Sequence, residues 1–469
     1  MPWQIEINSD NTVVFLNLTR LDSQDNLNGA KIISALQDKN IPLPPETENR
    51  IHEILAQLSG TDRREDRPVL IRAAGAIDGE NGRFEWSQKC NPEKIEVLHE
   101  EPEPSHSANF YQRSRLIIIN KGDQIGVLHP PTAGKPGQDV FGQPITPQPG
   151  TDFKVEPGKN VQLIPDGRTF VAQCDGEPKL ENGTLNIDPT LTVRSDVDFA
   201  TGNVAFSGDV NIKGDIKDLF EVRTGGNLLV EGMVEAAQIE CAGSLNVKRG
   251  ISGKEKGSIR VHKDLSAKYL SNVTVWVQGD TIIDSEIVNT DLNCSGKILL
   301  QRGAIHGGRV CAAGNIETPV IGSPAGVRTI VRAAVDPFLE RRIKELNLAR
   351  AEFSDRINTL MPKAKAMLAA YPGRPNPDLK KMADEIKKSK QQIEQLELKR
   401  TQLQQEMSQK CNGTIIVHKM IYPGVILYVA DIMQAVEREM SGPLQVMINR
   451  AEGQFQTLTF RAPAETTVK

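Results

Sequence analysis

A short pattern of glycine and apolar residues recurs between about Leu185 and Thr318, and it restricts the possible folds more than any other feature of the sequence. Each copy has a central residue, usually Gly followed by Asp, Asn, Ser or Lys, with apolar residues two and four positions to either side. Around Gly208 the four apolar residues are Val204, Phe206, Val210 and Ile212. The copies recur roughly every 18 residues, as in a repeat protein, with centres at positions 189, 208, 226, 243, 263, 279, 296 and 314.

The spacing of the apolar residues within each copy is that of β-strands, because they alternate with polar residues on both sides of a turn. A unit this short cannot bury its own apolar side, so it must stack on neighbouring copies. The repeat therefore predicts a β-solenoid of about eight coils, each about 4.8 Å thick, which makes a rod roughly 35 Å long. Cys241 and Cys294 fall at inward positions of this pattern and are predicted to be small core residues.

The composition is that of an ordinary soluble protein. The net charge is −4 and aromatic residues make up 4% of the chain, so there is no basic excess and little aromatic surface for nucleic acid. The first residues have neither a basic nor an apolar signal segment, and no apolar run reaches 18 residues, which predicts a cytoplasmic protein without a membrane span. The six Cys lack the CxxC spacing, which argues against disulfides and zinc.

The N-terminal part of the chain divides into two predicted segments. Residues 1–67 are interpreted as a small α/β module and a charged linker, in which Ile51, Ile54, Leu55 and Leu58 share one helix face. Residues 68–184 have the alternation and the Pro/Gly turns of a β-rich domain.

A loop rich in Gly and Pro, at residues 132–150, lies inside this β-rich domain. Its spacing does not match the phosphate-binding GxxxxGK[ST] pattern, so we interpret it as a structural loop rather than a phosphate site. The residues assigned to this structural role are Gly134, Gly137, Asp139, Phe141 and Gly142.

The segment PGQDVFGQPI in this loop, followed by a β-solenoid with GDV- and GNL-type turns and then a helical hairpin, resembles the bacterial flagellar assembly protein A family. The resemblance covers about residues 70 to 430. It implies a cytoplasmic protein with a right-handed β-helix, related in architecture to the polymer-forming bactofilins and involved in assembling or placing flagella. It implies no catalytic residues.

After the repeat, apolar residues recur in steps of three and four on both sides of YPGRPNP, residues 371–377. Two such stripes joined by a Pro/Gly turn predict an antiparallel coiled-coil hairpin at 336–410, with arms of about 45 Å. Arg350, Ser389 and Arg400 interrupt the apolar seam. The repeat pattern returns once at Gly413, so the β-helix is assigned to 185–335, and its last coil with a C-terminal cap to 411–469.

These features favour a non-enzymatic scaffold or regulatory protein that binds a protein partner, by resemblance a flagellar, cell-pole or signalling protein. Tyr371 and Arg374 at the hairpin tip are the candidate partner-binding residues, since Tyr and Arg are enriched at binding hot spots. No cofactor, metal or nucleic acid is expected, and self-association is left open.

Two alternatives remain at this point. The first is a bactofilin-like polymer that supports the cytoskeleton or the envelope. The second is a β-helix acyltransferase, for which His262 or His306 would be the general base. The acyltransferase is the weaker alternative, because strict hexapeptide repeats are absent.

Overall fold

The computed structural model describes residues 3–18, 27–58, 67–91, 116–370, 377–449 and 454–459. The chain divides into two compact units. The first unit comprises Met1–Asn91, Ile119–Cys174 and Pro178–Ile187, and the second comprises the remainder. The finer division into five segments stays a prediction.

The first unit begins with a three-stranded antiparallel sheet and two helices. Its elements are β1 (Trp3–Ile7), β2 (Val13–Leu18), α1 (Gly29–Asp38), α2 (Thr47–Leu58) and β3 (Val69–Arg72). The strand β3, which the sequence assigns to the next segment, pairs with β2 and completes this sheet. Ile51 and Ile54 of α2 are buried in the same core as Leu16, so the apolar helix face is used internally.

The rest of the first unit is built from short strands in three small sheets, ordered β4-β5-β10-β9, β11-β12-β8 and β6-β7. Their bounds are β4 (Arg83–Trp86), β5 (Gln124–His129), β6 (Gly137–Gln138), β7 (Pro144–Ile145), β8 (Glu156–Pro157), β9 (Val161–Leu163), β10 (Thr169–Ala172), β11 (Glu177–Glu181) and β12 (Thr184–Asp188). The predicted β-rich N-terminal region is thus present.

The second unit contains the predicted β-solenoid. The strands of its first eight coils are β13 (Thr190–Val193), β14 (Val204–Phe206), β15 (Asp209–Ile212), β16 (Glu221–Thr224), β17 (Leu228–Val230), β18 (Gln238–Cys241), β19 (Leu245–Val247), β20 (Ile251–Ser252), β21 (Ser258–Val261), β22 (Leu265–Ser271), β23 (Thr274–Val277), β24 (Thr281–Cys294), β25 (Ile298–Leu300), β26 (Ala304–Ala312), β27 (Ile316–Ile321) and β28 (Thr329–Ala333). Each strand pairs in parallel with the equivalent strand of the next coil, as in Val210 opposite Leu228.

Each coil has three strand positions, which stack into a first, a middle and a last column. The repeat pattern revealed only the first and last columns, which flank the central Gly. The middle column contributes one buried apolar residue per coil. In the early coils this residue forms an isolated bridge to the next coil rather than a strand. Its nine members are all 0% exposed: Val197, Ile216, Val234, Ile251, Leu270, Ile287, Ile305, Ile321 and Ile421.

The Gly-Asp and Gly-Asn pairs of the repeat connect successive coils. The Asp209 carboxylate accepts a hydrogen bond from the Asn227 N–H of the next coil at 2.6 Å. Asp264 accepts in the same way from the Asp280 N–H at 2.8 Å. In the same way, the N–H groups of Ser244, Lys297 and Thr414 donate to the side-chain oxygens of Asn227, Asp280 and Asn315, respectively.

The central Gly is required because this side chain and the backbone of the preceding coil occupy the space that a Cβ would need. A Cβ on Gly279 would lie 2.3 Å from Asp264 Oδ1, and one on Gly226 would lie 2.2 Å from Asp209 Oδ1. Neither glycine has a positive φ, so close approach rather than backbone conformation selects Gly at these turns. The recurring dipeptide is therefore one packing arrangement shared by two coils.

The helical hairpin is inserted between the eighth and ninth coils. Its helices are α3 (Pro337–Ala370) and α4 (Pro377–Lys410), followed by β29 (Ile415–Ile421) and β30 (Val425–Val429). In the ninth coil β29 pairs in parallel with β27, and β30 pairs in parallel with β28. Each helix has 34 residues, which corresponds to about 50 Å. The predicted fold class, a β-helix with an inserted hairpin, is confirmed.

The C-terminal end of the β-helix is covered by strands that run in the opposite direction. They are β31 (Ile432–Ala435), β32 (Met440–Ser441), β33 (Leu444–Asn449) and β34 (Gln454–Thr459). Against the ninth coil, β33 pairs with the first column, β32 with the middle column and β31 with the last column. All three columns of that coil are thus paired, and β34 adds to the outside of β33.

Substitutions of the central Gly and of the acidic residue in the preceding coil should have non-additive effects on the free energy of unfolding. We expect Gly279→Ala to cost about 2 kcal/mol by overpacking, and Asp264→Ala about 1 kcal/mol by loss of a hydrogen bond. The double variant should be more stable than the sum predicts, by at least about 0.5 kcal/mol, because the nearest clashing atom is gone and only the Lys263 backbone, 2.8 Å from the added Cβ, remains close. Denaturant unfolding measures all three. Asp264→Asn is the control and should be nearly neutral, and strictly additive costs would contradict this account.

Removal of the hairpin should leave the β-helix folded. We expect a variant in which a short Gly/Ser linker replaces residues 340–409 to keep its strand signal in circular dichroism. Loop closure depends only weakly on length, so the excision itself costs little. Most of the helical signal should disappear, because α1 and α2 have only 10 and 12 residues. Global unfolding of this variant would show that the hairpin is needed by the core.

Candidate functional site

The base of the hairpin, residues 335–341, packs back along the outer face of the β-helix. The Val335 N–H donates to the Ala312 carbonyl of the seventh coil at 3.2 Å. The Asp336 carboxylate accepts from the Ser295 hydroxyl of the sixth coil at 2.9 Å. These contacts fix the hairpin base across successive coils.

Asp336 also begins the helix. It is 8% exposed, and its carboxylate accepts from the Phe338 N–H at 2.9 Å and from the Leu339 N–H at 3.3 Å. An Asp before a Pro is a favourable start for a helix, because the side chain satisfies free N–H groups and Pro337 needs none. This role was missed in the sequence, although the Asp-Pro pair was the signal for it.

Three contacts that involve aromatic or charged side chains complete the hairpin base. The Phe338 ring meets the Trp276 ring edge to face at 5.2 Å, and the Arg341 guanidinium lies 5.5 Å from the centre of the Trp276 ring. Arg332 donates two hydrogen bonds to the Glu340 carboxylate, each 2.9 Å long. Paired donors to one carboxylate give a defined orientation, so α3 leaves the β-helix in a fixed direction.

The cysteines of the β-helix coils, Cys241, Cys294 and Cys311, are core residues. Cys241 and Cys294 are 0% exposed, which confirms their predicted inward positions. Burial raises the pKa of the Cys294 thiol to about 11 and that of the Cys311 thiol to about 12. Both thiols are therefore protonated near neutral pH, and a protonated thiol is a poor nucleophile.

The seam between α3 and α4 is half-buried along its predicted length, with Ser389 the most enclosed polar residue at 4% exposure. Arg350, which interrupts the seam, pairs across the hairpin with Glu397 at 3.4 Å. Arg356 pairs with Glu385 in the same manner. These cross-helix pairs help to align the two helices.

The candidate partner-binding residues, Tyr371 and Arg374, lie in 371–376, outside the described residues. Their assignment stays a prediction.

The Gly/Pro-rich loop turns around one carboxylate. Asp139 accepts from the Phe141 N–H at 2.9 Å and from the Gln143 N–H at 2.8 Å, while Gly142 has φ +78°. A Cβ on Gly137 would lie 2.2 Å from the Ala76 nitrogen, so this loop lies directly against the neighbouring chain. Gly134, with φ +76°, makes a similarly close approach to the Ile77 carbonyl. A negative charge at the centre of the turn would repel a phosphate.

The two histidines proposed as a general base lie in different environments. His262 is exposed at a turn, and His306 is half-buried beside the middle column. In the described part of the chain, neither ring lies within hydrogen-bond distance of a carboxylate that could orient it. Over the same residues, no group of three or more His, Cys, Asp or Glu could hold a metal ion, and no helix is long and apolar enough to cross a membrane.

The flanks of the β-helix carry charges that are largely paired between coils. Lys213 contacts Glu231 at 2.7 Å, and Lys248 contacts the same carboxylate at 3.4 Å. Lys254 contacts Asp218 at 2.8 Å and lowers the pKa of that carboxyl. Exposed pairs of this kind contribute little stability, but they leave a surface without a dominant charge.

The family comparisons agree with this architecture. Residues 3–183 match the model described as the Flagellar Assembly Protein A N-terminal region. Residues 189–454 match the model described as the Flagellar Assembly Protein A beta solenoid domain. No curated protein and no solved structure matches the chain significantly. Since the β-solenoid match alone spans more than half of the chain, the protein belongs to the flagellar assembly protein A family.

Proposed function

We propose that this protein is a non-enzymatic cytoplasmic scaffold that acts in flagellar assembly, or in the positioning of flagella at the cell pole, by binding a protein partner. Membership of the family supports the flagellar role. The partner would be a flagellar protein, another cell-pole protein or a signalling protein.

The observation that carries the proposal is the attachment of the hairpin. Two helices of 34 residues extend from a stacked body, and their base is held by the Trp276–Phe338 contact and the Arg332–Glu340 pair. A long arm with a fixed base can present its tip at a distance from the body with little loss of orientational freedom on binding. Preorganisation of this kind lowers the entropic cost of association.

We predict that Tyr371→Ala combined with Arg374→Ala weakens partner capture at least about tenfold, the effect of losing about 1.4 kcal/mol at a binding hot spot. The measurement is a pull-down with the full-length tagged chain, followed by affinity determination for the captured protein. The melting temperature should not change, and complementation of a deletion strain in soft agar should show reduced swimming.

The control is Asn347→Ala with Leu348→Ala, a pair of exposed positions nearer the hairpin base. Undiminished capture by the Tyr371 and Arg374 variant, with loss of capture when residues 1–60 are removed, would assign binding to the N-terminal module.

The bactofilin-like polymer is the second candidate function, and the C-terminal strands argue against it. A β-helix that polymerises end to end must offer unpaired columns at its ends. Here Ile415, Ile421 and Ile426 of the ninth coil, one from each column, are already paired with strands of opposite direction.

We therefore expect light scattering to give a discrete mass for the full-length protein over a wide concentration range. A variant ending at Ala430 exposes the last coil and should form larger, heterogeneous species, because its backbone groups are left unpaired. Filaments of the full-length protein would support the polymer instead.

A further inference from the structure

Four lysines form a stripe on α4. Lys380 and Lys387 are seven residues apart, as are Lys381 and Lys388, and all four are exposed. Seven residues are close to two helical turns, so each pair lies on one side of the helix, about 10 Å apart along the axis. The two pairs are adjacent in sequence and together form what we call the lysine stripe.

The charge around the stripe is not balanced. The distal half of the hairpin, residues 360–370 and 377–391, has seven lysines and three acidic residues. The proximal half, residues 337–359 and 392–410, has eight basic and seven acidic residues. Among the described residues, only Lys381 of the stripe has a carboxylate within 4.0 Å, that of Asp378 at 3.7 Å. The excess positive charge of the hairpin is thus concentrated towards its tip.

The first two lysines of the stripe lie at the end of the helix where the dipole disfavours a cation. Lys380 and Lys381 lie within the first five residues of α4, which begins at Pro377. Cations at this end of a helix oppose its dipole. At the C-terminal end of α3, where a cation would be favourable, the last turn has none. Lys380 and Lys381 are therefore placed against the helix dipole, whereas Lys387 and Lys388 lie three and four residues after Asp384, where opposite charges favour the helix.

One row of the stripe lines a groove between the helices. Lys381 and Lys388 lie along a groove of about 490 Å³ that is also lined by Phe353, Arg356, Asp384, Glu385, Ser389 and Gln392. Lys380 and Lys387, at the adjacent helix positions, form the second row. A partner that contacts this side of α4 would meet two rows of ammonium groups, with the carboxylates of Asp384 and Glu385 between the two lysines of the groove row.

We propose that the lysine stripe binds an acidic segment of a partner protein, with carboxylates spaced about 10 Å apart, as on positions i and i+7 of a helix. This inference rests on the proposed function of the hairpin as the binding arm, and it adds the chemistry of the partner. Charge complementarity supports it, since four clustered ammonium groups attract and orient an acidic surface.

A protein partner fits better than a membrane or a nucleic acid. A helix that lies on a membrane needs a broad apolar face beside its lysines. In the described part of the distal half, Leu368 is the one strongly exposed large hydrophobic residue. Single-stranded nucleic acid sites combine basic residues with aromatic stacking, and no aromatic residue occurs in the described part of the distal half.

The test uses the full-length chain and a synthetic helical peptide with Glu at i, i+1, i+7 and i+8. The variant changes Lys380, Lys381, Lys387 and Lys388 to Gln. The control changes four exposed basic residues elsewhere, Arg342, Lys344, Lys399 and Lys419, to Gln, which removes the same net charge. Circular dichroism checks that both variants keep their helices.

We expect the stripe variant to bind the peptide at least tenfold more weakly than the unmodified chain, and the control to bind within about twofold of it. Binding should weaken as salt is added, because exposed charge pairs are screened. Equal binding by the stripe variant overturns the inference, as does equal binding of a scrambled peptide of the same composition. Stripe-dependent binding that is tighter to phosphatidylglycerol vesicles or duplex DNA than to the peptide also overturns it.

The inference and the proposed function fail in different ways. If the stripe variant captures the cellular partner normally while the hairpin-deleted variant does not, the binding arm stands and the stripe is excluded. If deletion of the hairpin leaves capture unchanged, the proposed function itself is wrong.

Discussion

The architecture depends on backbone hydrogen bonds that run along the axis of the β-helix. Each coil offers N–H and C=O groups on both of its faces, and these groups need a neighbouring coil of the same shape because an unpaired buried amide is costly. This requirement explains why the nine middle-column residues are all apolar and fully buried. It also explains why Asp264 and its equivalents accept from the next coil at the turns, where strand pairing stops.

Much of this arrangement could be predicted from the sequence, because the first and last columns place two apolar residues at fixed distances from each central Gly. The middle column could not, since its single residue follows the centre by seven to nine positions and in most coils has no apolar residue at i+2. The hairpin could be predicted because its apolar residues recur at intervals of three and four. Its attachment was not, because the contact between Trp276 and Phe338 joins residues far apart in the sequence and depends on the stacking of the coils.

In the candidate site, too, features that depend on neighbouring residues could be predicted from the sequence, whereas contacts between distant residues could not. The structural role of the Gly/Pro-rich loop stays a prediction from residue types, and within the loop Asp139 accepts two local backbone hydrogen bonds. The four lysines of the stripe can be read directly from the sequence. Whether they are paired with carboxylates cannot, because only the folded hairpin shows that the proximal half pairs its charges through contacts such as Arg350–Glu397.

The insertion of the hairpin between two coils has a consequence for how the chain folds. Asn315 and Thr414 are hydrogen-bonded neighbours although 99 residues separate them. If the intervening chain were a random coil, closing it would cost about 2 kcal/mol more than closing a loop of about ten residues. Helices with mostly local contacts form in microseconds, well before long-range strand pairing. An early hairpin would therefore bring the ends of the last β-helix coil together and shorten the search that its strands must make.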